Sequence, residues 1–388
     1  MRRQSFAGFG MGNFTMLRSK LVLLLVLLGW VSNFSLAADK DMTAKIDAVF
    51  KDFQSDEAPG VAVLVIHDGK GIFERGYGVS DLRTKHKITP DTNFRLASLS
   101  KEFTALAVML LVHDGKISYS DHLTEVFPDF PEYGKAITIR HLLTHTSGLL
   151  DYEDLMAKQY GNTPDEQIPQ IKDAGVLELL KREKTTKFTP GTRWDYSNSA
   201  YCLLAMVVEK KSGRSFGEFL KGRIFTPLKM DQTIAFEKGK NEVVRRAFGN
   251  TKADDGWRET DQSSTSATLG DGGIYTSLSD MAKWDAALRE HKLLSEKEME
   301  PALVPVTVDG KRTTEPNGKP VSYGFGWFLD PYKGHPRMWH YGETMGFRST
   351  IQRFPKDGLT VIVLANRVDL VPSEYALRVV DLFLQKRP

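Results

Sequence analysis

The sequence has few features that would cross-link the chain by disulfides or hold it in a membrane. Among 388 residues there is one cysteine, Cys202, so no disulfide can form within the chain. The longest apolar run, residues 21–31, is too short for a comfortable membrane span. No internal repeat or low-complexity tract occurs, and a composition of 41% hydrophobic and 26% charged residues is that of an ordinary globular protein.

Clustered positive charge is also missing from most of the chain. The net charge is +3, but residues 1–37 contain four cations (Arg2, Arg3, Arg18 and Lys20) and no acid, so removing them leaves about −1. No basic arm or stripe remains to bind phosphates. The sequence therefore predicts that nucleic acid is not a partner.

What stands at the N-terminus is a targeting pattern. Arg18 and Lys20 precede the apolar run, and small residues at 35–38 offer a cleavage site. This predicts a signal peptide over residues 1–37, with Met16 as an alternative start, and a secreted or periplasmic product without a stable membrane span. A retained membrane anchor is the alternative. A lipid anchor is disfavoured because no cysteine lies directly after the apolar run.

The remaining chain, residues 38–388, reads as one domain of the α+β class. Apolar segments bounded by turns predict strands at both ends and helices between them, without β–α–β alternation. We therefore expect one antiparallel sheet from about residues 42–97 and 320–388, and a helical region over about 98–300. The predicted strands are residues 61–66, 72–77, 323–329, 346–354 and 359–365.

The helices follow from apolar spacing and from capping residues. Residues 151–170 look like a surface excursion, and Ser279 is a plausible N-cap for the helix that follows it. The predicted helices are residues 40–53, 101–112, 138–149, 176–182, 199–211, 216–224, 279–289 and 372–385.

Ser98 and Lys101 form the strongest local candidate for chemistry. Lys101 follows Ser98 by three residues, and an uninterrupted apolar helix follows both. Residues three apart share a helix face, about 5–6 Å apart at Cβ, so the amine would lie beside the hydroxyl. The helix N-terminus would favour negative charge on the serine oxygen. An activated nucleophile is the functional interpretation, and a solvated helix start is the alternative.

Two further segments carry candidate groups. Tyr196 can act as a general base if a nearby ammonium favours its phenolate, and Asn198 can orient a substrate carbonyl. Gly342, in the segment His340-Tyr341-Gly342, would allow close approach of a ligand to the backbone. A backbone N–H there, paired with that of Ser98, would hold an oxyanion.

Three other patterns are weaker. Ser215 lies in a Gly-x-Ser-x-Gly pattern, but a helix rather than a strand precedes it, so a helix–turn–helix corner is expected. His141 and His145 have the spacing of a zinc pair without a third ligand, so no metal site is predicted. Asp271-Gly272-Gly273 lacks the lysine of a phosphate loop and is interpreted as a glycine-rich turn lining a pocket.

Taken in order, residues 98–101, 141–149, 190–198, 269–273 and 340–342 resemble the serine β-lactamase and penicillin-binding-protein superfamily. The nearest branch is that of the class C β-lactamase-related serine hydrolases, which include esterases and D-amino-acid peptidases. The resemblance covers about residues 42–385. It implies a β-lactamase/transpeptidase-like fold and catalysis through an acyl-enzyme, with no cofactor or metal.

The resemblance also implies roles for single residues. Ser98 would be the acylated nucleophile, Lys101 would hold Ser98 and Tyr196 in the right protonation states, and Tyr196 would be the main general base. On the substrate side it implies a contact from Asn198, an oxyanion-hole N–H from Glu343 next to Gly342, and a pocket-lining role for Tyr152.

The sequence departs from the family at His340 and Glu343. His340 stands where the lactamases carry a lysine, and a mostly neutral histidine recognises a substrate carboxylate poorly. Glu343 would repel that carboxylate. We therefore expect a serine hydrolase of esters, amides or D-amino-acid peptides, with the cell wall as one source of substrate. The alternative is a protein that binds β-lactams or peptidoglycan with little turnover. The sequence leaves the oligomeric state open.

Overall fold

The computed structural model describes Met1 and residues 40–384. Apart from Met1, the predicted signal peptide lies outside the described residues, as does residue 385 at the end of the last predicted helix. The chain falls into two units, residues 1–49 and residues 50–388. In the first unit, residues 40–49 are helical and are named α1 here. In the second, Lys51–Phe53 forms a separate 3₁₀ turn where the helix was predicted to continue.

The longer strands of the described chain lie near its two ends, and shorter strands lie between them. They are β1 (Val61–His67), β2 (Lys70–Tyr77), β3 (Phe94–Arg95), β4 (Ile234–Ala235), β5 (Asn250–Ala253), β6 (Gly256–Glu259), β7 (Ile274–Thr276), β8 (Thr307–Val308), β9 (Lys311–Arg312), β10 (Met338–Thr344), β11 (Phe347–Phe354) and β12 (Leu359–Ala365).

The helices after α1 occupy the middle of the chain and its C-terminal end. They are α2 (Ser100–His113), α3 (Leu123–Val126), α4 (Ile139–Leu143), α5 (Tyr152–Tyr160), α6 (Asp173–Lys181), α7 (Asn198–Ser212), α8 (Phe216–Leu220), α9 (Leu278–Arg289), α10 (Glu296–Leu303) and α11 (Pro372–Val380).

The main sheet joins the two ends of the chain, as the sequence predicts. Its order is β10-β11-β12-β1-β2, and every neighbouring pair is antiparallel. β1 and β12 are apolar at almost every position because helices cover the sheet: α9 packs on β1 and β12, and α11 on β11 and β12. The predicted α+β class is confirmed.

The helical region holds the main apolar core, and α2 runs through it. Residues from Ser100 to Leu111 of this helix are buried, and α7 packs beside it. Just before α2, the turn Ala97–Leu99 contacts the edge strand β10. The sheet edge, α2 and the start of α7 therefore meet around residue 98. None of the helices in residues 40–384 is long and apolar enough to cross a bilayer.

Several boundaries differ from the predictions. The helix predicted over residues 138–149 ends at Leu143, because His145 has a left-handed backbone with φ 59°. The predicted excursion instead begins with α5, capped by Asp151. The N-cap of α9 is Ser277 and not Ser279. No strand forms over residues 323–329, where Tyr323 and Phe328 make only isolated bridges.

Candidate active site

Ser98 lies in the 3₁₀ turn Ala97–Leu99, immediately before α2. Its position at a helix N-terminus is as predicted, but its own turn is tighter than an α-helix. The preceding residue, Ala97, has φ 50°, a conformation that costs an L-residue about 1–2 kcal/mol. The surrounding structure holds this strain, which fixes the direction in which Ser98 is presented.

Lys101 is buried on the inner side of Ser98. Its Nζ donates to Ser98 Oγ at 3.0 Å, to Asn198 Oδ1 at 2.9 Å and to the Asp271 carbonyl oxygen at 3.0 Å. Burial lowers the pKa of Lys101 to about 8, although the negative charge of Asp271 acts in the opposite direction. A fraction of the amine next to the serine is therefore neutral near physiological pH, a much larger fraction than for a surface lysine.

Tyr196 is the third member of this group. Its side chain hydrogen-bonds to Ser98, and the Lys101 ammonium lies 4.9 Å from its ring centroid. Desolvation raises the pKa of Tyr196 well above its ordinary value, and the bond to Ser98 only partly opposes this. The phenolate expected from the sequence is therefore not favoured. Lys101 is the better first proton acceptor, and the Tyr196 hydroxyl can relay a proton.

His145 holds the loop that carries Tyr196. Its Nδ1 accepts the backbone N–H of Ser197 at 3.0 Å, its carbonyl accepts that of Asp195 at 2.9 Å, and its ring lies 4.3 Å from the Tyr196 ring. Burial holds the pKa of His145 well below its usual range, so the ring is a neutral acceptor. In the sequence, His145 has only the spacing of a zinc pair with His141. Its contact with the loop that carries Tyr196 is seen only in the structure.

Asn198 begins α7 at the floor of the cleft. Because its Oδ1 accepts from Lys101, the amide NH₂ is the end of the side chain available to donate to a substrate carbonyl. The contact between Asn198 and a substrate stays a prediction.

The strand β10 brings the three predicted residues of the 340–343 segment to the site in different ways. His340 is fully buried: Nε2 bonds to the Tyr323 hydroxyl at 3.1 Å and Nδ1 to residue 341 backbone. Burial and the charge of Lys101 lower the pKa of His340 to about 3. The predicted contact between this ring and a substrate is therefore corrected: both nitrogens are engaged inside the protein.

Gly342 packs against the segment that leads to Ser98, and Glu343 lines the cleft. A Cβ at Gly342 would collide with the Leu96 carbonyl oxygen, so glycine lets β10 pass against the segment that leads to Ser98. Glu343 is exposed and lines the same cleft as Ser98. An oxyanion hole formed by the backbone N–H groups of Ser98 and Glu343 is compatible with this placement.

Tyr152 and Asp271 form the opposite side of the cleft. The buried Tyr152 hydroxyl donates to Asp271 Oδ2 at 3.2 Å and lies 3.5 Å from Thr268 Oγ1. Tyr152 therefore lines the pocket as predicted, and so does the glycine-rich turn at Asp271 and Gly272. The sequence assigned no role to the Asp271 side chain.

The weaker patterns have structural explanations. Ser215 caps α8 and bonds to Glu218, in the helix–turn–helix corner that was predicted. His141 Nδ1 accepts the backbone N–H of Thr138 and so caps α4. In the described part of the chain, no group of three His, Cys, Asp or Glu residues is placed to hold a metal.

The fold and the site together define a class. An antiparallel sheet with a helical subdomain, and a Ser-x-x-Lys pair with a tyrosine at the junction, is the arrangement of the serine hydrolases of the β-lactamase and penicillin-binding-protein superfamily. The chain belongs to the beta-lactamase family, whose model matches residues 46–385.

Individual relatives agree with this assignment. The chain is 32% identical over 329 residues to a penicillin-binding protein of Bacillus subtilis (strain 168), covering 81% of this chain and 70% of that protein. It is 27% identical to a D-aminopeptidase of Gluconobacter oxydans (strain 621H), covering 80% of this chain and 56% of the relative.

Solved structures show the same fold. An octameric penicillin-binding protein homologue from Pyrococcus abyssi superposes with a TM-score of 0.73 at 26% identity, covering 90% of this chain and 78% of the other. The D-amino acid amidase of Ochrobactrum anthropi SV3 superposes with a TM-score of 0.72 at 24% identity, covering 88% and 98%. The predicted family, fold and serine-hydrolase class are confirmed.

Proposed function

We propose that this protein is a secreted or periplasmic hydrolase that cleaves amides, peptides or esters of small D-amino acids through an acyl-enzyme on Ser98. The observation that carries the proposal is the contact between Ser98 Oγ and the Lys101 amine at 3.0 Å, with the pKa of that amine lowered to about 8. A neutral amine in direct contact with a hydroxyl can accept its proton at neutral pH.

The steps follow from the positions of these groups. Ser98 Oγ attacks the substrate carbonyl carbon while its proton passes to Lys101 Nζ, directly or through the Tyr196 hydroxyl. The backbone N–H groups of Ser98 and Glu343 hold the oxyanion. The C–N or C–O bond then breaks, the leaving group takes the proton, and water hydrolyses the ester by the reverse path.

The cleft favours small, polar substrates without a carboxylate near the reaction centre. Its lining is mostly polar and includes Thr265, Thr268 and Glu343. The neighbouring cations are committed within the protein: Lys101 makes three hydrogen bonds, and Arg95 bonds to Ser266 and to the Gly272 carbonyl. The D configuration is supported by the names of the aminopeptidase and amidase relatives.

A second candidate is a β-lactam- or peptidoglycan-binding protein with little turnover. It is favoured by the 32% identity to a penicillin-binding protein. The two candidates differ in the lifetime of the covalent adduct on Ser98.

Secretion is supported by the pattern of residues 1–37 and is tested by N-terminal sequencing of the protein recovered outside the cytoplasm.

Ser98→Ala tests the proposed chemistry. We expect kcat/KM for p-nitrophenyl acetate and D-alanine p-nitroanilide to fall by about 10³-fold or more, because the acyl-enzyme cannot form. Ser215→Ala is the matched control and should leave turnover intact. Activity of folded Ser98→Ala protein at the wild-type level would refute the role of Ser98.

Intact-mass analysis separates the two candidates. Incubation with a fluorophosphonate should add one adduct to the wild-type protein and none to Ser98→Ala. With a chromogenic cephalosporin, a long-lived adduct without product supports the binding protein. Turnover of the anilide supports the hydrolase.

A further inference from the structure

Three oxygen atoms surround the Lys101 amine. They are Ser98 Oγ at 3.0 Å, Asn198 Oδ1 at 2.9 Å and the Asp271 carbonyl oxygen at 3.0 Å. An ammonium can donate to all three, but a neutral amine has two N–H groups and one lone pair. Carbonyl oxygens of amides and peptides only accept hydrogen bonds, whereas a serine hydroxyl can also donate. In the neutral amine, Asn198 and Asp271 therefore take the two N–H groups, and the lone pair faces the Ser98 hydroxyl.

The Asp271 carbonyl belongs to a turn, residues 269–273, that is bound by a carboxylate from α6. Asp173 is the first residue of α6, and its side chain is buried. Its Oδ2 accepts the backbone N–H of Leu269 at 2.8 Å, and its Oδ1 accepts that of Gly270 at 3.0 Å. Hydrogen bonds to a charged acceptor are stronger than neutral ones, so these two bonds fix the backbone directly before residue 271.

The 269–273 turn also contacts the two helices that carry Lys101 and Asn198. From α2, Thr104 Oγ1 donates to the Gly270 carbonyl oxygen at 2.7 Å. On the α7 side, a Cβ at Gly270 would lie 2.2 Å from the Tyr201 carbonyl oxygen, so the turn packs directly on that helix. A shift of the turn would therefore move its carbonyl groups relative to both helices.

We infer that Asp173 is a positioning residue for the proposed reaction, and that it acts through the 269–273 turn on the orientation of the Lys101 amine. With the turn held, the carbonyl of residue 271 keeps one N–H of the neutral amine, and the lone pair stays directed at Ser98 Oγ. Asp173 is not among the described residues that line the cleft, so it acts without touching the substrate. The inference rests on the proposed function and adds a residue to its proton transfer.

The groups around Asp173 agree with this role. Burial and the negative charge of Asp271 raise the pKa of Asp173 to about 7, and the two backbone N–H groups oppose this shift. The Cys202 thiol of α7 bonds to the carboxylate, and burial raises the pKa of the thiol well above its usual range, so it stays a neutral donor. Above pH 7 the carboxylate is thus charged, in the range where Lys101 loses its proton.

Asp173→Asn tests the inference through the pH profile of kcat/KM for p-nitrophenyl acetate. Asparagine keeps one acceptor oxygen and loses the charge, so the turn is held less firmly. We expect the plateau at high pH to fall by about 10-fold or more, because a small misplacement of a reacting group has an effect of this size. The break set by Lys101 should move to lower pH by about half a unit or more, because a displaced carbonyl stabilises the ammonium less. The carboxylates that raise the pKa of Lys101, those of Asp271, Asp151 and Glu153, stay in place in this variant.

Asp280→Asn is the matched control. Asp280 is also a fully buried aspartate near the start of a helix, α9, and its Oδ2 accepts the backbone N–H of Gln232 at 2.9 Å. This variant should lose thermal stability, as Asp173→Asn does. It should keep the wild-type plateau and break, because its backbone contact lies outside the 269–273 turn.

Three results with folded Asp173→Asn would overturn the inference. An unchanged plateau and break would mean that Asp173 contributes to stability alone. A shifted break with an unchanged plateau would mean that it acts by its charge and not through the turn. A lower plateau with an unmoved break would place its effect away from the amine. Each of these results leaves the proposed function standing if the wild type turns over the ester in a Ser98-dependent way. Without such turnover, the proposed function itself fails.

Thr104→Val covers the case in which Asp173→Asn does not fold. It removes the hydrogen bond to the Gly270 carbonyl and leaves the carboxylate in place. We expect a plateau lower by about threefold or more, as for one lost hydrogen bond, together with a break at lower pH. If folded Thr104→Val matches the wild type in both respects, the turn does not orient the amine and the inference is overturned.

Discussion

Two groups of residues around Ser98, one behind the cleft and one lining it, differ in their charge. The dry wall, formed by Lys101, His145, Tyr196, Tyr323 and His340, is mostly buried, and burial keeps its two histidines neutral. The acidic wall, formed by Glu153, Asp271 and Glu343, faces the cleft with carboxylates. Ser98 contacts Lys101 of the first group and lines the same cleft as the second.

The difference indicates that the two walls have different roles. The dry wall removes water from around Lys101 and so lowers the pKa of its amine, which suits proton transfer. The acidic wall attracts a cationic group and repels a carboxylate. We therefore expect changes in the dry wall to affect all substrates equally, and changes in the acidic wall to alter the preference among substrates.

The largest effect should come from Tyr196→Phe in the dry wall. The ring packing against His145 is kept, but the hydroxyl that bonds to Ser98 is lost. We expect kcat/KM to fall by about 10²–10³-fold, the usual contribution of a positioned proton-transfer group. The fall should be the same for D-alanine p-nitroanilide and its N-acetyl form. A fall confined to one of them would break the proposed separation of the walls.

The pH dependence should be next in size. If neutral Lys101 accepts the proton, kcat/KM for p-nitrophenyl acetate should rise about tenfold per pH unit below the pKa and level off above it. With the pKa of Lys101 lowered to about 8, the break is expected near pH 8. Asp271→Asn should move the break to lower pH, because the Asp271 charge raises this pKa. A rate that falls as the pH passes 8 would show that the ammonium is the active form.

Glu153 provides the control for that profile. Desolvation, with the charges of Asp151 and Asp271, raises the pKa of Glu153 to about 7, so it titrates in the same range. Because the charge of Glu153 also raises the pKa of Lys101, but less than that of Asp271, Glu153→Gln should move the break slightly to lower pH without abolishing it. Loss of the break in this variant would assign it to Glu153.

Gly342 lies in β10 between His340 of the dry wall and Glu343 of the acidic wall. Gly342→Ala would place a methyl group against the Leu96 carbonyl oxygen and Ser349 Oγ. We expect a loss of about 1–3 kcal/mol in the free energy of unfolding, as for an overpacked site. Thermal unfolding measures the loss, and turnover of both anilides should fall together.

Gly71→Ala is the matched control for that substitution. Gly71 also lies in a strand, and the nearest atom to its Cβ position is Leu64 Cδ1 at 4.0 Å. Its unfolding midpoint should stay close to that of the wild type. An equal shift in both variants would mean that the effect comes from glycine flexibility and not from the contact with Leu96.

The elements that local pattern could predict are those with one dominant signal. The strand at residues 61–66 and the helix after Ser98 are long apolar segments, and both form as expected because burial of apolar area outweighs other preferences. The segment at 323–329 is equally apolar but forms only isolated bridges. Hydrophobicity predicted its burial, which is observed, and could not predict that it would meet β10 only at the bridge between Phe328 and Trp339.

The sequence by itself determined the α+β class, the Ser98–Lys101 pair and the order of the segments that meet at the cleft, because these depend on local spacing and on the periodicity of apolar residues. Only the tertiary structure decided which groups carry charge. Burial makes Lys101 a plausible base, disfavours the Tyr196 phenolate and encloses His340. It also leaves Oδ1 of Asp271 buried without a hydrogen-bond partner. Desolvation is a property of the three-dimensional surroundings of a group, so no pattern along the chain contains it.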